Sequence, residues 1–323
     1  MAKAAGVSPA TVSRVTNNRF AGEPAIAERV RGAIAELGYA PSPVARSLAL
    51  GRTHVVAFVV PDLANPSFQS VLAGLSKTAA GDGYRVLVAD SGESAAEEAP
   101  LAMEIRRRTD AIVLCAPRMP EEELAALIPR LGPVVLVNRR VEGSSAPSLA
   151  VDYRRGIEVI AQHLYDMGHR DMAYVYGPER SASNALRERG IEDFLAVNSD
   201  VTIRRIAAGA GSEEGRAAAD AVRASGATAA MAFNDLVAIG LIGGLRELGV
   251  QVPRDVSVTG FDDIPLARFL DPALTSASVP HAELGVLAWS QMRAVMAGAD
   301  PGPHALFEPR LEVRRSTAAP VRR

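Results

Sequence analysis

Early in the chain, apolar positions fall three apart. Val12 and Val15 share one face of a short helix, while Ala10, Thr11, Ser13 and Arg14 point away from it. Ser8 stands as the helix N-cap, Pro9 fits the first helical position where its missing N–H costs nothing, and Gly6 supplies the preceding turn. A second helix reads over 24–38, opened by Pro24 and closed by Gly38, with Ile26, Val30, Ile34 and Leu37 as one apolar stripe. From residue 55 the pattern changes to strand–helix alternation. Apolar strands are predicted at 55–60, 85–89, 111–114, 134–137, 172–176, 202–207, 229–233 and 256–260. Helical segments lie around 67–80, 95–108, 121–131, 154–167, 184–196, 212–225, 235–248 and 281–297. Short apolar strands with helical crossovers imply parallel sheets covered on both faces. The expected fold is a small all-α head followed by an α/β core of two doubly wound subdomains with four parallel strands each. Two such subdomains would share one cleft beyond the carboxyl ends of their strands.

Between the two patterns lies Tyr39-Ala40-Pro41-Ser42-Pro43-Val44-Ala45-Arg46-Ser47-Leu48-Ala49-Leu50-Gly51-Arg52. Two prolines make it a stiff connector, and Pro43 can open one short helix ending near Gly51. A helix of that length is marginal alone in water and would need DNA or a partner subunit to order it.

The 323 residues are 48% hydrophobic and 22% charged, enough for two or three domains. The one cysteine, Cys115, lies in an apolar run and is expected in a buried strand. No Cys/His cluster has zinc-ligand spacing, and no apolar segment resembles a signal peptide or approaches a membrane span. A cytoplasmic protein without metal, cofactor or membrane contact is expected. The net charge of −2 hides an asymmetry: residues 1–53 carry +4 and the remainder −6. A basic head on an acidic body suits a DNA-binding module joined to a domain with another task.

The outer face of the first helix, small and polar with one long cation, suits insertion into a DNA major groove; an ordinary surface helical turn is the alternative. Gly209-Ala210-Gly211-Ser212-Glu213-Glu214-Gly215 resembles a dinucleotide fingerprint but has one residue too many, and its two acids would repel a pyrophosphate. A Gly-rich loop opening an acidic helix is the competing reading. No nucleophile-elbow, zinc-protease or phosphate-loop sequence occurs, so no catalytic residue is named.

Six stretches stand out together: Ala2-Lys3-Ala4-Ala5-Gly6-Val7-Ser8-Pro9-Ala10-Thr11-Val12-Ser13-Arg14-Val15 at the head, Tyr39-Ala40-Pro41 through Leu48 in the connector, and Asn65-Pro66-Ser67-Phe68, Phe233-Asn234-Asp235, Gly260-Phe261-Asp262-Asp263 and Arg314-Arg315-Ser316-Thr317 in the body. With them nearly the whole chain resembles the LacI/GalR family of transcriptional regulators. The first is similar to that family's helix-turn-helix signature, the second resembles its hinge, and the rest resemble markers of its effector domain, which has the periplasmic-binding-protein type I fold. The resemblance implies a helix-turn-helix domain at 1–41, a hinge at 42–53 and an effector-binding and dimerisation domain at 54–323. The last would divide into one subdomain of about 54–151 and 280–310 and another of about 152–279 and 311–323.

The resemblance also assigns roles. Pro9, Ala10 and Arg14 take base-reading positions, with Arg14 long enough to reach a guanine edge. Thr11, Ser13 and Asn17 would bond phosphates, and Ser8 and Ala45 belong to the same DNA-binding set. Leu48 matches the leucine that wedges into the minor groove, a core or dimer-interface leucine being the alternative. Phe68, Arg187, Asn234 and Asp262 are expected to hold the effector, with Arg139 and Asp152 as further candidates; a structural salt bridge or cap is the alternative for Asp262, Arg187, Arg139 and Asp152. Ser181 stands where purine-binding relatives carry Arg, which disfavours a purine. Ala210 and Gly211 replace an aromatic that closes the pocket, Asn138 stands where Asp is frequent, Ser42 replaces a hinge Asn, and Ile26 and Ala27 replace polar residues.

These features imply a homodimeric repressor of a carbohydrate-use gene cluster. It would bind double-stranded operator DNA under control of a small carbohydrate effector. A soluble sugar-binding or sugar-processing protein without a working head is the rival. Met1-Ala2-Lys3-Ala4-Ala5 supplies barely one helical turn, so the expectation is that the natural start lies about half a dozen codons upstream and that the short head binds operator weakly.

Overall fold

Val55–Val60 (β1) pairs in parallel with Arg85–Asp90 (β2) on one side and Ala111–Cys115 (β3) on the other, with Val56 opposite both Val86 and Ala111. Five of its six residues are buried, because helices cover both faces of a parallel sheet. The computed structural model describes residues 1–16, 19–38 and 51–321. Asn17, Ala45, Leu48 and most of the expected hinge lie outside them. The chain divides into two units, Met1–His54 and Val55–Arg323.

The larger unit holds two six-stranded sheets. Val134–Val137 (β4), Ser148–Val151 (β5) and Ala305–Phe307 (β11) complete the first, whose order is β11-β5-β4-β3-β1-β2, all parallel. The second contains Asp171–Tyr176 (β6), Thr202–Ala207 (β7), Ala229–Ala232 (β8), Ser257–Asp262 (β9), Thr275–Ser278 (β10) and Arg310–Glu312 (β12). Its order is β12-β10-β9-β8-β6-β7, and β12 alone runs antiparallel to its neighbour. The expected sets of four are thus sets of six. The added strands β5, β10, β11 and β12 are only three or four residues long and extend the sheets beyond β4 and β9.

Crossover helices are Pro66–Gly81 (α4), Ala95–Arg106 (α5) and Glu121–Leu131 (α6) in the first half, and Tyr153–Asp166 (α7) and Ala182–Val197 (α8) in the second. The single helix expected over 212–225 is two, Ser212–Ala217 (α9) and Ala219–Ser225 (α10), joined at Ala218. Asp235–Glu247 (α11) follows β8, and His281–Met296 (α12) returns to pack along α4. The last glycine of the Gly-rich segment, Gly215, lies within α9 and serves packing: a Cβ there would lie 2.2 Å from the Val237 carbonyl oxygen of α11. That approach, with Glu213 and Glu214 in the first turn, replaces the dinucleotide reading.

The smaller unit has three helices, Ala2–Ala5 (α1), Pro9–Thr16 (α2) and Pro24–Glu36 (α3), in its described part. Gly6 ends α1 at φ 62°, a left-handed position that glycine adopts without strain. Ala5, Val12, Val15, Ala27, Val30 and Ala33 form the core, with Met1 and Phe20 packed partly against it. The buried face of α3 is therefore centred on Ala27, Val30 and Ala33. Ile26 and Ile34 flank it, and Leu37 is exposed. Alanines let the helices approach closely, which turns α3 one position away from its largest apolar residues.

Candidate functional site

On α2 the Ser8 hydroxyl accepts the Thr11 backbone N–H at 3.1 Å, satisfying one of the donors orphaned at a helix start. Val12 and Val15 anchor the helix inward. Pro9, Ala10, Ser13 and Arg14 are exposed and Thr11 is half-buried, giving one outward face of small polar groups and a guanidinium.

In the larger unit the strands of both sheets deliver their ends to one cleft. It is lined by Asn65, Ser67, Phe68, Ala116, Arg118 and Asn138 from the first half and by Tyr153, Ser183, Arg187, Ala210, Phe233, Asn234 and Asp262 from the second, with His281 at the start of α12. Helix starts converge here too. Asn65 caps α4 by accepting the Ser67 N–H, and Asn234 caps α11 by accepting the Val237 N–H, each at 2.9 Å. Asn234 also donates to the Ala210 carbonyl at 2.8 Å. Three of the cleft-lining residues, all at strand ends, carry a positive φ without being glycine: Ala116 at 48°, Asn138 at 56° and Asp262 at 101°. Such backbone costs on the order of 1–3 kcal/mol per residue and marks places where the surrounding structure fixes a side chain.

Arg187 is the central cation. It is 1% exposed, and its guanidinium carbon lies 4.4 Å from the Tyr153 ring centre, 4.6 Å from Phe233 and 4.0 Å from Phe261. Its Nη1 donates to the Ser183 carbonyl at 3.1 Å, and among the described residues no carboxylate lies within ion-pair distance of it. Burial pushes the Tyr153 hydroxyl above its ordinary range, with the Asp262 charge adding to the shift. Burial likewise pushes the nearby Cys115 thiol up to about 12, which keeps it an inert core group.

Asp262, at the end of β9, accepts the Ser67 hydroxyl at 2.9 Å across the cleft, and His281 Nε2 lies 3.6 Å from its other oxygen. Arg118 is held from the other side: Glu93 takes its Nε at 2.6 Å and Nη2 at 2.9 Å, and the Ala116 carbonyl takes Nη1 at 3.0 Å. Glu98 accepts the backbone N–H groups of Arg118 and Met119, and burial raises its pKa above the ordinary carboxylate value.

Seven buried side-chain polar atoms among the described residues have no hydrogen-bond partner. Four belong to the cleft: Asn138 Oδ1, Arg187 Nε and both ring nitrogens of His281. An unpaired buried polar group costs about 1–3 kcal/mol. Their concentration in one cleft marks a place built to bind something polar.

Of the expected effector residues, Phe68, Arg187, Asn234 and Asp262 come together here. Arg139 and Asp152 are not among the lining residues. The Asp152 carboxylate caps α7 by accepting the Arg155 N–H at 2.9 Å, which is the capping alternative. The Arg139 Nε is buried without a partner. Ser67, Arg118, Tyr153 and His281 were not anticipated. No local pattern announces Arg118, Tyr153 or His281, each brought in by an element far away in sequence, whereas Ser67 stands inside the Asn65-Pro66-Ser67-Phe68 marker beside the expected Phe68.

The bacterial regulatory protein pattern of the lacI family matches residues 1–42, and the periplasmic binding protein-like domain matches residues 161–317. The HTH-type transcriptional regulator GalR of Salmonella typhimurium is 31% identical over 328 residues, 99% of this chain and 96% of GalR. The chain belongs to the LacI family. This LacI-family protein shares its fold with the lac repressor dimer bound to operator and the anti-inducer ONPF, at a TM-score of 0.86 and 24% identity over 98% of each chain. The transcriptional regulator CelR in its cellobiose complex is 27% identical, with a TM-score of 0.72 over 98% of each chain. The protein is accordingly a DNA-binding transcriptional regulator. Among the described residues no helix is long and apolar enough to cross a membrane.

Proposed function

We propose that this protein is a homodimeric repressor that releases or grips its operator according to a neutral carbohydrate bound in the cleft of the larger unit. The observation that carries the effector class is the mixture of demands in the cleft. Arg187 Nε needs an acceptor, Asn138 Oδ1 needs a donor, and His281 needs one of each in its neutral form. Asp262 adds a carboxylate that must receive a donor. A ring bearing several hydroxyl groups answers all of these, since each hydroxyl both donates and accepts. An anion answers only the donors and is repelled by Asp262. The aromatic faces of Phe68 and Phe233 suit the apolar side of such a ring. The bound cellobiose of CelR supports the same class.

For the head, the reading is that α2 enters the major groove with Arg14 toward a guanine edge, and with Thr11 and Ser13 toward phosphates. Two heads of a dimer would read a pseudo-palindromic site, in the cytoplasm where the chromosome lies. Asn17, Ala45 and Leu48 keep the DNA-contact roles that the family resemblance gives them. The domain limits 1–41, 42–53 and 54–323 belong to the same proposal.

The test is a thermal-shift screen of the full chain against neutral mono- and disaccharides, uronic acids and sugar phosphates. A concentration-dependent rise in melting temperature with a neutral sugar is expected. Stabilisation by the charged compounds alone would contradict the reading.

A further inference from the structure

One hydrogen bond in the cleft does more than fill space. The Ser67 hydroxyl sits in the first turn of α4, in the first half of the larger unit, and donates to Asp262 at the end of β9 in the second half. Both residues are buried, and among the described residues no other side-chain hydrogen bond joins cleft-lining residues of the two halves. Their positions are set independently. Ser67 is fixed by the Asn65 cap, and Asp262 by a backbone at φ 101°. The second neighbour of Asp262, His281 Nε2 at 3.6 Å, is too distant to replace that bond. With the two halves so joined, the cleft encloses about 30 Å³ of free space. Binding pockets for organic ligands run to roughly 300–1,000 Å³.

We propose that Ser67 is an internal stand-in for the effector. Its hydroxyl occupies Asp262 in the ligand-free protein and latches the halves together until a ligand hydroxyl takes its place. This rests on the reading of the cleft as the effector site and adds its regulation. In the open cleft water can solvate Asp262, but closing again over a molecule with no donor at that point would leave a buried carboxylate unpaired, which is costly. The closed, ligand-bound cleft is therefore favourable only when the incoming molecule supplies a donor there. Ser67 therefore filters ligands: a compound without a hydroxyl facing Asp262 cannot exchange for it. The exchange is one hydrogen bond for another, and the ligand's remaining groups then meet Arg187, Asn138 and His281.

The test uses the full chain without any ligand. Spin labels at Glu123→Cys on α6 and Glu192→Cys on α8, both exposed, report the separation of the two halves by pulsed electron resonance, while the buried Cys115 stays unlabelled. Labelled chain is exchanged into an excess of unlabelled chain so that each dimer carries one labelled protomer. The labelled parent should show one dominant short separation. Ser67→Ala should raise the population at longer separations at least fivefold, and Ser67→Thr, which keeps the hydroxyl, should resemble the parent. Three results would each overturn the proposal: an Ala distribution that superimposes on the parent, a Thr variant as open as the Ala variant, or a parent already open. No sugar enters the measurement, so its failure leaves the effector reading to the thermal-shift screen.

Discussion

Ser67 and Asp262 meet at 2.9 Å although 195 residues separate them in the chain. One stands at a helix start in the first half of the larger unit and the other at a strand end in the second. Their contact joins the two halves of the larger unit across the cleft through polar groups. Coupling of that kind changes with what fills the cleft, which is the physical requirement for control at a distance.

Arg14 is the outward cation of α2, and its removal tests base reading. Arg14→Ala should weaken operator binding by about 1–3 kcal/mol and relax preference at one base pair in each half-site. Anisotropy titrations with single-base operator variants at fixed salt check this. A uniform loss on every sequence would identify a phosphate contact instead.

Arg187 and Asp262 are the two charged cleft residues assigned to the effector. With a neutral sugar identified by the thermal screen, Arg187→Ala and Asp262→Ala should each lower its affinity at least tenfold, about 1.4 kcal/mol, while operator binding persists. Arg187→Lys should recover little, since a point charge cannot present the planar fork that now lies among three rings. Calorimetry reads the affinity, and normal binding by both alanine variants would remove these residues from the site.

His169 gives the larger unit a pH dependence. Its ring is 1% exposed, with Nε2 donating to the Ala318 carbonyl at 2.9 Å and Nδ1 at 2.8 Å from the Thr228 hydroxyl. Burial depresses its pKa below 6.5, and burial depresses that of His163, bonded to Thr317, in the same direction. Between the depressed folded value and 6.5 the unfolded chain binds more protons, so stability is complete above pH 6.5 and is lost as pH falls below it. Urea midpoints measured from pH 7.5 down to 5.0 should decline, and His169→Gln should flatten the slope. A pH-independent midpoint in the parent would contradict this account.

The Glu98 carboxylate fastens the turn that carries Arg118. Glu98→Ala would leave two buried backbone N–H groups without partners, at about 1–3 kcal/mol for each. The expected result is a lower melting temperature together with weaker sugar binding. An unchanged melting temperature would show that the turn holds its shape without the carboxylate.

The apolar strands were legible because their pattern is local: β1, β3, β4 and β8 announce themselves by unbroken apolar runs. So was the outward face of α2, which two valines define. The strands β5, β10, β11 and β12 were not, since three or four residues in extended form owe their state to the neighbour they pair with. The buried face of α3 was misplaced because alanine contributes little to a hydrophobic pattern yet permits the closest packing. In the cleft, Asp262 and Asn234 followed from strand ends and family markers. His281 and Arg118 did not, since their presence depends on where α12 and the Glu93 carboxylate come to rest. Asp152 shows the opposite case, a conspicuous carboxylate engaged by a helix start.

The central claim is that cleft occupancy controls the head. Its most direct test is an operator titration of the full chain, using duplexes from the promoter region beside its own gene, with and without the stabilising neutral sugar at constant ionic strength. The account predicts tight binding to at least one duplex and a five- to 150-fold change on adding the sugar, corresponding to about 1–3 kcal/mol of coupling. Affinity equal to that for a random duplex, or an operator affinity indifferent to a sugar that demonstrably fills the cleft, would contradict it.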